Sequence, residues 1–141
     1  MLGEIIADFS GQLTSTKVLP PDGTNPMMEA SVQGSGTLLG MAATTLGTYW
    51  QTIRSTGVLY GEGNVVITTN DGGVAIWKGF GVGTSTGAGF AASYAVAGAF
   101  QTNSPSLARL NSVATIAEYD VDESGNWTWR ISEWKSKASG N

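Results

Sequence analysis

The chain has 141 residues, enough for one domain with a substantial core, and a net charge of −4. Its seven Lys and Arg residues form no basic cluster, which disfavours nucleic-acid binding because that needs cations grouped to displace counterions. The composition contains no Cys and no His, which excludes disulfides, zinc–thiolate sites, thiol nucleophiles and the histidine of a catalytic triad. Catalysis would therefore use carboxylates, amines, tyrosines or backbone groups, and we expect no metal and no other cofactor.

Eight segments have the composition and alternation of β-strands, and turn signals separate them. The predicted strands are residues 4–18, 28–39, 42–53, 58–69, 74–82, 90–101, 113–121 and 126–134. Residues 20–23, a Pro-Pro-Asp-Gly run, predict a turn, and residues 70–73, Asn-Asp-Gly-Gly, give the strongest hairpin signal. Ser104 before Pro105 is typical of a helix start, so we expect a short helix at residues 105–110 and a frayed tail at residues 135–141.

The short connections make each strand the neighbour of the next, and eight such strands can close on themselves. The predicted fold is therefore all-β, one domain over residues 1–141, forming an eight-stranded, mainly antiparallel up-and-down barrel. A two-sheet sandwich is the alternative. The N-terminus lacks the basic and apolar regions of a signal peptide, and no apolar run is long enough to span a membrane, so we expect a cytoplasmic protein with no membrane partner.

Two hairpins predict which residues of strands three to five lie opposite one another. If Asp71-Gly72 and Thr56-Gly57 are two-residue turns, Glu62 lies opposite both Gln51 and Gly81. One face then carries Tyr49, Gln51, Ile53, Tyr60, Glu62, Asn64, Val66, Trp77, Gly79 and Gly81. The other face carries Trp50, Thr52, Leu59, Gly61, Gly63, Val65, Ile67, Val74, Ile76, Lys78, Phe80 and Val82.

The first face has the composition of a ligand cavity, with aromatic walls and a few orienting polar groups. The walls would be Tyr49, Tyr60 and Trp77, and the orienting groups would be Gln51, Glu62 and Asn64. The alternative is that the second, more apolar face is the core and the first is solvated. Lys78 favours the cavity, because an unpaired ammonium buried on the second face would be costly.

Three further motifs favour structural roles. The tryptophans of the last strand, Trp127, Trp129 and Trp134, predict packing in the core and at the closing seam. Residues 120–125 resemble half of a calcium loop, but Ile131 occupies the position of the required bidentate acid, so an acidic hairpin turn is expected. Glu118 and Glu133 could form a catalytic carboxylate pair, although exposed strand charges are commoner.

Five segments resemble an uncharacterised prokaryotic family of small barrel proteins, and the likeness covers most of the chain. They are LGTYW (46–50), LYGEG (59–63), QT followed by LARLN (101–102 and 107–111), EYDVD (118–122) and WK (134–135). In fold, the chain is similar to allene oxide cyclase-like and lipocalin-like barrels. This resemblance implies a central cavity for a small apolar molecule, sometimes with cyclase activity, and often an oligomer.

Three functions remain open from the sequence. The first is binding of a small apolar molecule inside the barrel. The second is a cyclase or isomerase, in which burial would raise the pKa of Glu62 and make it the acid–base group. The third is a structural subunit with a filled barrel. We also expect a homo-oligomer, a dimer or trimer, because the second face would form an outward apolar band with Lys78 at its rim.

Overall fold

The computed structural model describes residues 1–55 and 57–137, and within them eight antiparallel strands form a closed barrel. Each strand pairs with its neighbours in sequence, and β1 closes the barrel against β8, where Phe9 pairs with Trp129. The strands are β1 (Leu2–Asp22), β2 (Asn25–Leu38), β3 (Met41–Ser55), β4 (Val58–Thr69), β5 (Val74–Ser85), β6 (Ala92–Thr102), β7 (Ala114–Val121) and β8 (Asn126–Trp134). The predicted barrel is confirmed, and the sandwich is not formed.

A short 3-10 helix, Pro105–Ser112, joins β6 to β7 and is here named the plug helix. Its Leu107 and Leu110 are fully buried in the core, and Arg109 binds carboxylates of β1 and β8 at 2.8 and 2.9 Å. The helix thereby closes one end of the barrel. Ser104 is the N-cap residue as predicted, but its hydroxyl accepts a hydrogen bond from the Val74 N–H rather than from the helix.

The predicted turn at residues 20–23 is wrong in its position, because β1 continues to Asp22. Beyond Leu13, whose N–H donates to the Gly125 carbonyl at 2.9 Å, the strand β1 pairs with β2 alone. Pro20 and Pro21 lie in this single-sided part, where the missing N–H groups are tolerated at the edge of a sheet. The β1–β2 hairpin therefore extends past the end of β8, while β2 stays paired with β3 as far as Met27.

Glycines let large rings lie flat against the inner wall. The Trp77 ring covers Gly79 and Gly98, where an added Cβ would fall 2.4 and 2.3 Å from ring atoms. Likewise, the Trp127 ring covers Gly34, where the distance would be 2.6 Å. The wall accommodates these rings because the glycines have no side chains, an arrangement that also suits strongly curved strands.

The last strand and the tail differ in part from expectation. Trp127 and Trp129 are buried as predicted, but Trp134 is half exposed. The tail begins paired rather than frayed: the Lys135 N–H donates to the Met1 carbonyl at 2.8 Å, and the Met1 ammonium donates back at 2.7 Å. Residues 138–141 of the predicted tail and residue 56 of a predicted turn lie outside the described residues. No helix in the described part of the chain is long and apolar enough to cross a membrane.

The predicted register of β4 is wrong by one residue on both sides. Glu62 pairs with Trp50 and Phe80, not with Gln51 and Gly81. Because side chains alternate along a strand, this slip moves every β4 side chain to the opposite face. The two errors cancel between β3 and β5, so the predicted relation between those two strands is correct.

The first error comes from a bulge in β3. Ser55 pairs with Val58 as predicted, but Ile53 pairs with Leu59, so Arg54 is an extra residue in the ladder. A bulge of this kind shifts the register of all pairs beyond it by one residue. The alternation of apolar and polar residues in β3 does not show where this bulge lies.

The second error comes from the turn between β4 and β5, which has a longer loop than predicted. Thr69 donates its N–H to the Gly73 carbonyl at 2.9 Å, and Gly72, with a φ of +87°, donates to the Thr69 carbonyl at 3.0 Å. Asp71 stabilises this arrangement by accepting hydrogen bonds from the Thr69 hydroxyl and, at 3.0 Å, from the Gly73 N–H. The result is a three-residue loop with a glycine bulge, the next commonest hairpin after the two-residue form.

Candidate functional site

An apolar cavity of about 80 Å³ lies inside the barrel. Six aromatic side chains contribute to its wall: Tyr49, Trp77, Tyr94, Tyr119, Trp127 and Trp129. On β4 and β5, Gly61 pairs with Gly81 and Gly63 pairs with Gly79. Side chains from elsewhere on the wall lie against these glycines: Trp77 over Gly79, Tyr49 beside Gly63, and Tyr94 beside Gly61 and Gly81. The glycines give these rings room against the wall, and the cavity is the space that the side chains leave unfilled.

Three of the six residues predicted for the site point inward. Tyr49 and Trp77 line the cavity, and Gln51, which is buried, contacts Tyr94 beside it. All three lie on β3 and β5, whose relative register was predicted correctly. Lys78 is exposed, in agreement with the argument that placed it outside.

The predicted inward positions of Tyr60, Glu62 and Asn64 are wrong, because the β4 slip places all three outside. Tyr60 stacks on Phe80 with ring centroids 6.5 Å apart, and the Arg54 guanidinium lies 4.2 Å from the Tyr60 ring centroid. Glu62 adjoins the cavity wall through its place between two inward glycines, but it is exposed. The barrel interior therefore lacks the carboxylate that the sequence placed there.

Three tyrosines form a linked group on the cavity wall. Tyr94 donates its hydroxyl to Gln51 Oε1 at 2.7 Å, and the Tyr119 hydroxyl lies 3.4 Å from that of Tyr49, at the outer limit of a hydrogen bond. Burial raises the pKa of Tyr49, Tyr94 and Tyr119, the last two further because of neighbouring tyrosines. These hydroxyls therefore stay protonated at neutral pH and can act as hydrogen-bond donors.

Two buried polar atoms on the same wall have no hydrogen-bond partner among the described residues. They are Thr45 Oγ1 and Trp127 Nε1. Thr45 pairs with Gly34, and the Trp127 ring lies over Gly34, so the two side chains occupy neighbouring parts of the wall. By contrast, Trp77 Nε1 donates to the Thr115 hydroxyl at 3.1 Å.

The sequence reasoning missed Thr45, Tyr94 and Tyr119 and gave Trp127 only a packing role. Thr45 shares the alternation of Tyr49, which would have placed it inward. The contacts between Tyr94, Tyr119 and β3 join residues far apart in the chain, and no local pattern reports them.

The two glutamates considered as a carboxylate pair lie apart. Glu118 is exposed and pairs with Arg130 across β7 and β8. Glu133 is buried at the plug-helix end, where it binds Arg109. They do not form a shared catalytic site.

The turn between β7 and β8 is the predicted acidic hairpin. Asp122 accepts hydrogen bonds from the N–H groups of Ser124 and Asn126, both at 2.9 Å. An open groove of about 670 Å³ lies beside this turn and is bordered by Trp127, which also lines the interior cavity. Trp127 therefore borders both the cavity and the groove.

Solved structures share this architecture, whereas no protein-family model and no curated protein matches the chain significantly. A β-barrel like protein from Acinetobacter baumannii matches with a TM-score of 0.80 and 16% identity over 96% of both chains. A conserved protein of unknown function from Rhodopseudomonas palustris matches with a TM-score of 0.79 and 13% identity, over 94% of this chain and 97% of that one.

A third match is described as an enzyme from Penicillium herquei, with a TM-score of 0.62 and 19% identity over 93% of this chain and 96% of that one. At such identities the likeness concerns the fold alone. The predicted resemblance to uncharacterised small barrel proteins is confirmed at that level.

Proposed function

We propose that the protein binds a small, largely apolar molecule inside the barrel. The observation that carries the proposal is the aromatic-lined cavity of about 80 Å³, whose wall includes Gly61, Gly63, Gly79 and Gly81. Small-molecule sites are concave and mostly apolar, with few polar groups. A purely structural barrel of eight strands is expected to fill its interior with side chains, whereas this barrel leaves a cavity.

The size of the cavity limits the ligand. Its volume of about 80 Å³ is roughly half that of an engineered cavity of about 150 Å³ that binds benzene. Tyr49 is only half buried, has Ala30 and Gly63 as its strand neighbours and makes a long hydroxyl contact. Rotation of this side chain would enlarge the cavity. The ligand is therefore a short chain or a single ring.

The route of entry follows from the two ends of the barrel. At one end, Leu107 and Leu110 of the plug helix are fully buried and leave no path. At the other end, Trp127 borders both the cavity and the open groove. The ligand would enter past Trp127.

A titration with benzene and toluene, followed by ¹H–¹⁵N NMR, tests the proposal. We expect saturable shifts of the Trp77 and Trp127 indole N–H signals, since both rings line the cavity. Val96→Phe places a ring in the cavity and should abolish these shifts. The matched control is Val82→Phe, the same change at an exposed outward position of β5, which should leave them intact. Absence of saturable shifts in the unmodified protein would contradict the proposal.

A second candidate is a cyclase or isomerase, and the buried tyrosines favour it. Protonated hydroxyls on a dry wall can stabilise negative charge that develops on a substrate oxygen. The structural match described as an enzyme gives this candidate further support at the level of fold. The catalytic group would be Tyr119 or Tyr49 rather than the exposed Glu62. A screen of polyene, epoxide and keto-lipid substrates, with Tyr119→Phe and Glu62→Gln as the paired variants, separates the two candidates.

A further inference from the structure

We infer that the ligand is a neutral molecule with an acceptor oxygen, such as a small ketone, aldehyde or ester, and that Trp127 and Thr45 hold this oxygen. The inference rests on the binding function proposed above and adds the chemical class of the ligand. Neither Thr45 nor Trp127 was predicted from the sequence to be a polar residue of the site.

The first evidence is that the two groups are buried without partners. Thr45 is 1% exposed and Trp127 is 3% exposed, and both line the cavity. Within the described residues, their side-chain oxygen and nitrogen are the buried side-chain polar atoms that lack a hydrogen bond. Most buried polar atoms in proteins have a partner, because leaving one unpaired costs free energy. Two such atoms on one cavity indicate a place where a ligand supplies the missing bond.

The second evidence is that two other buried polar groups near the cavity are already paired. Trp77 donates to Thr115 at 3.1 Å, and Tyr94 donates to Gln51 at 2.7 Å. These groups need nothing from a ligand. The two unpaired atoms therefore mark a recognition point in the part of the wall where the Trp127 ring lies over Gly34, next to Thr45.

The chemistry of the two groups selects the type of ligand atom. An indole N–H can only donate, whereas a threonine hydroxyl can donate or accept. An oxygen with two lone pairs satisfies both donors at once. The described residues that line the cavity include no Lys or Arg, so a carboxylate or phosphate would be buried without a counter-charge. The ligand oxygen is accordingly neutral.

A pair of probes of nearly equal shape tests the inference: cyclopentanone, which carries the acceptor, and methylenecyclopentane, which does not. Binding is followed on ¹⁵N-labelled protein through the indole N–H signals, with Trp127 assigned from Trp127→Phe. We expect the ketone to bind about 3- to 10-fold more tightly, the range that one net hydrogen bond gives. The Trp127 indole proton should move downfield with the ketone only, while Trp77, already bonded, responds alike to both probes.

Trp127→Phe leaves a space in the core that can destabilise the protein. Two variants on β3 therefore provide a second test. Thr45→Val keeps the shape of the side chain and should reduce the preference for the ketone. Thr52→Val makes the same change at a buried but outward-facing position and should not.

Each result has a distinct meaning. Equal binding of the two probes, or a ketone preference that Thr45→Val does not reduce, overturns the acceptor assignment while the binding function stands. Failure of both probes to bind removes the binding function itself. A ketone preference that depends on Thr45 and appears at the Trp127 indole supports the inference.

Discussion

At the scale of single residues, two buried threonines on the inner wall have opposite energetic roles. The Thr115 hydroxyl accepts a hydrogen bond from Trp77 and donates one to the Gly98 carbonyl at 2.8 Å. The Thr45 hydroxyl has no partner among the described residues. Removing one member of a satisfied pair leaves the other unpaired, whereas removing an unpaired group relieves a cost. The unpaired Thr45 hydroxyl therefore lowers the free energy of unfolding of the unliganded protein.

Substitution of each threonine by valine measures this difference. We expect Thr45→Val to raise the free energy of unfolding by about 1 kcal/mol, because a buried hydroxyl without a bond is removed. Thr115→Val should lower it by about 1–3 kcal/mol, because the Trp77 N–H loses its acceptor. Urea denaturation of the unliganded proteins gives both values. Similar losses in the two variants would show that Thr45 has a partner in solution.

At the scale of strands and turns, the barrel was predictable and the orientation of β4 was not. Alternation and turn residues identified every strand, since they depend only on local sequence. The face on which each β4 side chain lies depends on one extra residue at each end of the strand. At one end Arg54 forms a bulge in β3, and at the other end the Asp71 hydrogen bonds stabilise a three-residue loop. Hence Tyr49 and Trp77 were placed correctly, and Glu62 was not.

The turn between β4 and β5 should make stability depend on pH in acid. The hydrogen bond from the Thr69 hydroxyl, followed by that from the Gly73 N–H, lowers the pKa of Asp71 below its ordinary value. A carboxylate with a lowered folded-state pKa stabilises the fold fully above its unfolded pKa of about 3.9, and this stabilisation is lost as the pH falls toward the folded value. We expect the stability of the protein to fall below about pH 4, and to fall less steeply in Asp71→Asn.

The measurement is the urea midpoint of unfolding from pH 7 to pH 2.5. Asp22→Asn, which removes a carboxylate from the β1–β2 hairpin at the other end of the barrel, is the matched control. If the urea midpoint falls equally steeply with decreasing pH in Asp71→Asn and Asp22→Asn, the Asp71 hydrogen bonds do not cause the acid dependence of stability.

At the scale of the whole molecule, the corrected register changes the outward surface without removing its apolar character. Leu59, Val65 and Ile67, which the sequence placed outside, point inward. On β4, the side chains of Val58 and Val66 point outward instead. The exposed apolar side chains of β3, β4 and β5, here named the apolar face, are Leu46, Val58, Val66, Val74, Ile76, Phe80 and Val82.

The apolar face supports the prediction of a dimer or trimer. Seven exposed apolar side chains lie on these strands, with Glu62, Asn64 and Lys78 lying among them. Symmetric self-association is a common way of covering exposed apolar surface. Lys78, which lies on β5 between Ile76 and Phe80, can pack its methylene chain against such a contact while its ammonium stays hydrated.

Light scattering during size-exclusion chromatography at micromolar concentration tests this prediction. We expect a mass of two or three chains for the unmodified protein and a shift toward one chain in Ile76→Lys, because a charge in the centre of the apolar face opposes its burial. Val18→Lys makes the same change at a residue that is 80% exposed on β1, outside this face, and should keep the assembled mass. A single-chain mass for the unmodified protein, or equal dissociation in the two variants, would show that the apolar face is not the contact between subunits.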